Sequence, residues 1–462
     1  MSDNALTKTL ADAEFETDNR GNSLFELPFQ ARYPIEGLVF YDTGRTGRPM
    51  YAGLGAGLLV EGDLDLQRTE RAIQELYDTI DTMRVAYPAA PDKPLHYRIR
   101  RECPFALEVI PAEGATFEER LASASALETP YASKLETYAD ASVRAVVYDL
   151  GTAPSGEHAW IVAFSANHLA IDDQAIYLVI NQFMANYRGE GKMVVHESNL
   201  LDYLNFMNDN PDIVDARANR AYWQTERAGY ESPTLGEAEP DRTVPVDPSD
   251  LVFYLDTQQV KSLALACQTT LPSLFMAALH VGTAAGFGQL DSAICMMTES
   301  RPHFSFWNTV VHGLMAMNNR MRLDPNEPFS EFARRTLLKM SENLQNLVSE
   351  EYVGGAAHVQ YTYVSPVRKP NLGEGLTCQS WMPNLIGDAG YLPSDVVAVV
   401  EGSDTMQVMQ VFNPEQCFLT PNEVRAFGCG LKCCLEMAID NPHVRIGEIM
   451  SAAQERLREQ AR

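Results

Sequence analysis

His168 and Asp172 stand four residues apart in "SANHLAIDDQAI", the only place in the chain where an aspartate follows a histidine at that spacing. Imidazole titrates near neutrality, so a histidine is the side chain best suited to moving a proton in a group-transfer reaction. The two residues read either as a catalytic histidine with the acid that shapes its loop, or as ordinary residues at a turn. Asp173 adds a second acid that a simple catalytic pair does not require.

The elements around the pair favour a positioned site. "SVRAVVYDL" and "HAWIVAFSANHLA" are strand-like apolar runs joined by the turn-rich "GTAPSGE". "QAIYLVINQFMANYRG" follows with Ile176, Ile180, Phe183, Met184 and Tyr187 at helical spacing and Gly189 as a stop signal. His168 therefore falls at the exit of a buried strand, and Asp172 and Asp173 at the N-terminal cap of the next helix. Backbone N–H groups at a helix start favour acids and developing negative charge.

Further out, "MYAGLGAGLLVEGDLD" reads as a strand ending at a Gly-Asp turn. "LQRTERAIQELYDTIDTMRVAYP" reads as an amphipathic helix, and "LHYRIRRECPFALEVIPA" as paired strands. "TFEERLASASALE" reads as a short helix and "SNLLDYLNFMNDNPDIVDARANRAYWQTERAGY" as helical. "ESPTLGEAEPDRTVPVDPSD" is a Pro- and acid-rich connector, after which helices and strands alternate to the C-terminus. "LFMAALHVGTAAGFGQL" is too short and too soft for a membrane span and reads as a buried helix.

The 62 acidic and 36 basic residues among 462 give a formal charge of −26, which argues against nucleic-acid and anionic-membrane partners. The spacing of Cys429, Cys433 and Cys434 forms no CxxC pair, so no metal site is expected there and the thiols read as small buried helix side chains. The eight scattered cysteines, with no signal peptide opening the chain, fit the cytoplasm.

Several segments, in order, resemble the condensation domains of non-ribosomal peptide synthetases. "DTIDTMRVAYP" is similar to their Leu-Arg-Thr-x-Phe stretch, and "RANRAYWQTERAGYESPTLGEAEPDRTVP" to their Tyr-Trp linker. "LPSLFMAALHVGTAAGFGQLDSAICMMTESRP" resembles the unit ending in a Gly-Arg loop. "VVHGLMAMNNRMRLDPNEPFSEFARRT" resembles the Gly-x-Phe-Val-Asn-Thr strand and its following helix, and the segment from "FNPEQC" onward the closing helix. The chain is identified on these grounds as a free-standing member of the condensation-domain and CoA-dependent acyltransferase superfamily.

The resemblance implies an α/β fold of two chloramphenicol-acetyltransferase-like lobes in a V-shaped pseudo-dimer with a central tunnel. The expected division is a flexible tail over 1–22, an N-terminal lobe over 23–188, and linker helices with a C-terminal lobe over 189–462. His168 falls at the second histidine of the family's HHxxxDG motif, where it would accept a proton from, or orient, an amine or hydroxyl attacking a thioester. Asp172 would anchor the loop through an arginine, with Arg84 as the expected partner. Asn167, replacing the first motif histidine, Asp173 and Asn318 would line the site, and backbone bonding is an equal reading for Asn318. His303 and His312 flank that region as surface residues or substrate contacts.

The implied donor is a thioester on a carrier protein's phosphopantetheine arm or on CoA, and the implied acceptor a small amine or alcohol. Asp173 stands where the family has glycine. That pattern also resembles the non-catalytic X domains of glycopeptide assembly lines, so a module that recruits an enzyme or carrier is the competing expectation.

Overall fold

The computed structural model describes residues 14–26, 53–86, 96–133, 143–167, 170–191, 199–210, 217–230, 251–299, 301, 303–346, 359–365, 369–383, 395–411 and 419–460. They form two compact units. Unit 1 is Met1–Val214 with Ser300–Leu314 and Val367–Tyr391, and unit 2 is Asp215–Glu299, Met315–Pro366 and Leu392–Arg462. The expected boundary at 188/189 is thus displaced: the chain stays in unit 1 to Val214, and two later segments return to it.

Strands β1 (Phe25–Glu26), β2 (Gly53–Glu61), β3 (Val85–Ala86), β4 (His96–Ile99), β5 (Val109–Pro111), β6 (Val143–Thr152) and β7 (His158–Asn167) belong to unit 1, with helices α1 (Leu66–Thr79), α2 (Phe117–Ser133), α3 (Asp173–Arg188) and α4 (Leu200–Asp209). Unit 2 carries α5 (Arg217–Arg227), β8 (Val252–Asp256), α6 (Thr257–Ala266), α7 (Leu271–Phe287), β9 (Asp291–Glu299) and nearly all of β10 (Leu314–Arg322). It continues with α8 (Phe329–Gln345), β11 (Val359–Val364), β13 (Asp395–Glu401), β14 (Thr405–Val411), α9 (Pro421–Asp440) and α10 (Ile446–Gln460), while β12 (Thr377–Trp381) returns to unit 1.

The main sheet of unit 1 runs β12-β2-β7-β6-β5. Along β6 and β7, alternate side chains face opposite layers. Ala145, Val147, Val162 and Phe164 join α1 and α3 in one core. Val146, Tyr148, Ile161 and Ala163 join α2 in the other. Burial on both faces explains why β7 reads as an almost continuous apolar run.

Two expectations change, one of strand pairing and one of the N-terminal tail. β4 and β5 do not pair with each other: β4 lies between β1 and β3, and β5 pairs parallel with β6. Residues 14–22 are not a loose tail. Phe15 bridges Arg100, Glu16 N–H donates to the Ile99 carbonyl at 2.8 Å, and Asn19 N–H donates to the Asn205 side chain at 3.0 Å. A polar segment is held here because its backbone supplies the hydrogen bonds that the strand end lacks.

The sheet of unit 2 runs β10-β9-β11-β13-β14-β8. The apolar "LFMAALHV" stretch is α7, buried along nearly its whole length. It packs closely on α9, where a Cβ at Gly286 would lie 2.9 Å from the Phe427 nitrogen. Cys433 and Cys434 are buried on α9, and burial pushes the Cys434 thiol well above its ordinary range. Among the described residues no single helix is long and apolar enough to cross a membrane.

Candidate functional site

The exit of β7 is asymmetric. Its ladder with β2 reaches Asn167, opposite Gly53, whereas its ladder with β6 ends at Ala166, opposite Val143. α3 then starts at Asp173, with Asp172 as its N-cap. His168 and Leu169, which join the two elements, lie outside the described residues. Ala170 and Ile171 are buried. At the far end of α3, Gly189 takes a left-handed conformation, φ 69°, and closes the helix.

Asp172 is fully buried, and its carboxylate is committed to local structure. Oδ1 accepts from the Ala175 N–H at 2.8 Å, and Oδ2 from the Gly313 N–H at 2.8 Å. Arg301 Nη2 lies 3.1 Å from both oxygens. One carboxylate thereby caps α3 and binds the motif turn to the returning segment Ser300–Leu314. A buried acid accepting from a helix start, a guanidinium and a loop N–H has its charge satisfied where it stands.

Arg301, not Arg84, is the cation on Asp172. Arg84 instead donates through Nε to the Arg100 carbonyl at 2.8 Å and through Nη1 to the Tyr77 carbonyl at 2.6 Å and the Asp78 carbonyl at 3.3 Å. Its ion-pair contact is Glu16, at 4.0 Å. Carbonyls in the last turn of a helix have no intrahelical donors, and Arg84 supplies them for α1. The signal for Arg301 lay in "TESRP", at the place similar to the family's Gly-Arg loop. Gly313 opens the stretch similar to the family's Gly-x-Phe-Val-Asn-Thr strand, but its role is a backbone N–H, which the residue type does not reveal.

The returning segment is fastened at further points. Thr82 Oγ1 donates to the Val310 carbonyl, and Gln174 Nε2 donates to the Trp307 carbonyl at 3.3 Å. Phe306 and Val311 pack with Ala170, Tyr97 and Tyr203. Asp81 accepts from the Leu200 and Leu201 N–H groups, both at 2.9 Å, and so holds the start of α4.

The remaining candidate residues separate. Asp173 is half-buried on the first turn of α3; one turn later, burial and then the Asp173 charge push the Tyr177 phenol up. Asn167 closes β7. Asn318 sits on β10 in unit 2, and its backbone carbonyl accepts from Asn343 Nδ2 at 3.2 Å. His303 is a turn cap, with its Nδ1 2.9 Å from Ser305 Oγ and its ring packed on Phe206 and Phe304. His312 is buried beside Gly313. Among the described residues no group of three His, Cys, Asp or Glu side chains could hold a metal.

Comparison with known proteins gives one consistent picture. A family model described as "Condensation domain" matches residues 54–348. No curated protein sequence matches the chain. Among solved structures, the condensation domain of the monacolin K polyketide synthase MokA is similar at 14% identity and a TM-score of 0.70, covering 93% of this chain and 100% of that one. SgcC5 from Streptomyces globisporus is similar at 15% identity and a TM-score of 0.70, covering 91% of this chain and 100% of that one. The X-domain solved in complex with OxyB from teicoplanin biosynthesis is similar at 17% identity and a TM-score of 0.64, covering 97% of this chain and 98% of that one.

Proposed function

Because this chain belongs to the condensation-domain family, we propose that it is an acyltransferase that moves an acyl group from a thioester to an amine or hydroxyl, forming an amide or ester. The donor is carried on CoA or on the phosphopantetheine arm of a carrier protein, the setting is natural-product biosynthesis, and the reaction takes place in the cytoplasm. One observation carries the reading: the aspartate of the HxxxD spacing is occupied by Arg301, Gly313 and the start of α3. That leaves proton transfer to His168, which would orient the nucleophile and accept its proton as the thioester carbonyl is attacked. The departing thiolate then leaves as the tetrahedral intermediate collapses.

Asp173 adapts this chemistry. A carboxylate beside a developing oxyanion is electrostatically unfavourable, so its presence suits an acceptor that brings a positive charge. The deciding experiment is single-turnover transfer from CoA and carrier-bound thioesters to cationic and neutral amines. Product that disappears in His168→Ala supports the reading. Product formed at an unchanged rate in that variant removes His168 from the mechanism.

The second reading is a non-catalytic module that recruits an enzyme or a carrier. Asp173 and the likeness to an X-domain solved with OxyB favour it. Capture of a partner enzyme, together with no transfer from any thioester, would establish that reading in place of the first.

A further inference from the structure

Besides Asp172 and Asp81, unit 1 holds another buried carboxylate. Glu128 on α2 is fully buried and accepts from three side chains of the sheet beneath it. Arg144 Nη1 lies at 2.8 Å and the Tyr148 hydroxyl at 2.6 Å from Oε2, and the Ser165 hydroxyl donates to Oε1. Arg144 and Ser165 are direct cross-strand partners on β6 and β7. The Glu128 carboxylate therefore bridges one rung of that ladder from the α2 side. Burial, and then the adjacent Glu128 charge, hold the Tyr148 phenol up, which keeps it a donor.

The position of this rung matters more than its stability. The β6 ladder ends one residue beyond it, at Ala166, and Asn167 is carried onward only by β2. Ser165 thus anchors β7 through its side chain just before the strand leaves for the motif turn. Asp172 fixes the same turn from its other end. Burying a carboxylate carries a desolvation penalty that a well-packed apolar face does not. Geometry is a reason for keeping it that stability does not supply.

We infer that Glu128, through Arg144 and Ser165, is a positioning residue that sets the exit of β7 and with it the presentation of His168. This rests on the acyltransferase reading for its consequence in turnover, but not for its structural content.

The test uses full-length Ser165→Ala, Ser165→Thr and Glu128→Gln with histidine-labelled protein. The His168 imidazole resonance is assigned by its loss in His168→Ala. Ser165→Ala and Glu128→Gln are expected to move that resonance and its titration midpoint, Ser165→Thr to restore both, and the His280 and His303 resonances to stay in place. In a transfer assay, Ser165→Ala should lower kcat roughly tenfold with KM held within about twofold, as a misoriented catalytic group does. A His168 resonance unmoved in both Ser165→Ala and Glu128→Gln overturns the inference, as does Ser165→Thr behaving like Ala or all histidines shifting together. A shifted His168 in a protein that transfers no acyl group supports the positioning role and rejects the acyltransferase reading.

Discussion

The Asp172 carboxylate and the Arg301 guanidinium, 129 residues apart in sequence, meet at 3.1 Å with both side chains almost wholly buried. Breaking a buried pair from one side leaves an uncompensated charge, at a cost of about 3–5 kcal/mol. Asp172→Asn and Arg301→Met should each lower stability to urea by that order. A double-mutant cycle should return a coupling above about 1 kcal/mol between them. Arg84→Met combined with Asp172→Asn should instead be additive within about 0.5 kcal/mol. Coupling to Arg84 as large as to Arg301 would contradict the pairing.

Gly313 stands against the same arginine. A Cβ there would lie 3.2 Å from Arg301 Nη1 and 3.4 Å from its Cγ, which is tighter than ordinary packing. Gly313→Ala should therefore push the guanidinium away and cost about 1–3 kcal/mol, as overpacking of a filled interior does. In an Arg301→Met background the penalty should shrink, because the Nη1 contact is gone. An equal penalty in both backgrounds would place the strain elsewhere.

These contacts mark where the sequence was informative. The β6–β7 hairpin, α1 as far as Thr79, and α3 with Asp172 at its start and Gly189 at its end were legible because their signals are local: alternation, helical spacing and cap chemistry. The rest of the stretch read as the α1 helix is instead a 3-10 turn at Asp81–Arg84 followed by β3. The family could be identified because several weak segments kept one order along the chain. The partner of Asp172 was not legible, since a lone arginine on either side of the motif carries the same charge and only the return of Ser300–Leu314 to unit 1 selects Arg301. The pairing of β5 with β6 and the seating of Glu14–Glu16 on the β4 end were missed for the same reason. They are satisfied by backbone groups, which every residue carries.

In unit 2 the α7–α9 contact opposes two effects of known sign. Replacing a mid-helix glycine by alanine gains about 1 kcal/mol of helix propensity. At Gly430, however, a Cβ would lie 2.9 Å from the Ala285 Cβ and 3.0 Å from the Gly282 carbonyl oxygen, and at Gly286 it would lie 2.9 Å from the Phe427 nitrogen. Backbone atoms cannot swing aside, so the steric cost of about 1–3 kcal/mol should win. Gly430→Ala and Gly286→Ala should both lower the urea midpoint, and a gain in either would mean that the helices can separate at little cost.

His280 gives the chain a pH dependence of defined sign. Its ring is fully buried in unit 2, with Nδ1 2.7 Å from Ser292 Oγ and Nε2 3.0 Å from Asn319 Oδ1, and the Phe332 ring packs edge-on against it. Burial lowers its pKa from 6.5 to about 4; Asn319 opposes that shift, Arg335 adds to it and Asp291 opposes it. Between those two pH values the unfolded chain binds a proton that the folded chain does not, so this group's contribution to stability rises with pH through that window. It is complete above the unfolded pKa and lost as pH falls toward about 4. The stability of the wild type relative to His280→Gln should therefore increase from acid to neutral pH and then level off. A difference that stays constant across the window would mean that the imidazole is already protonated in the folded protein.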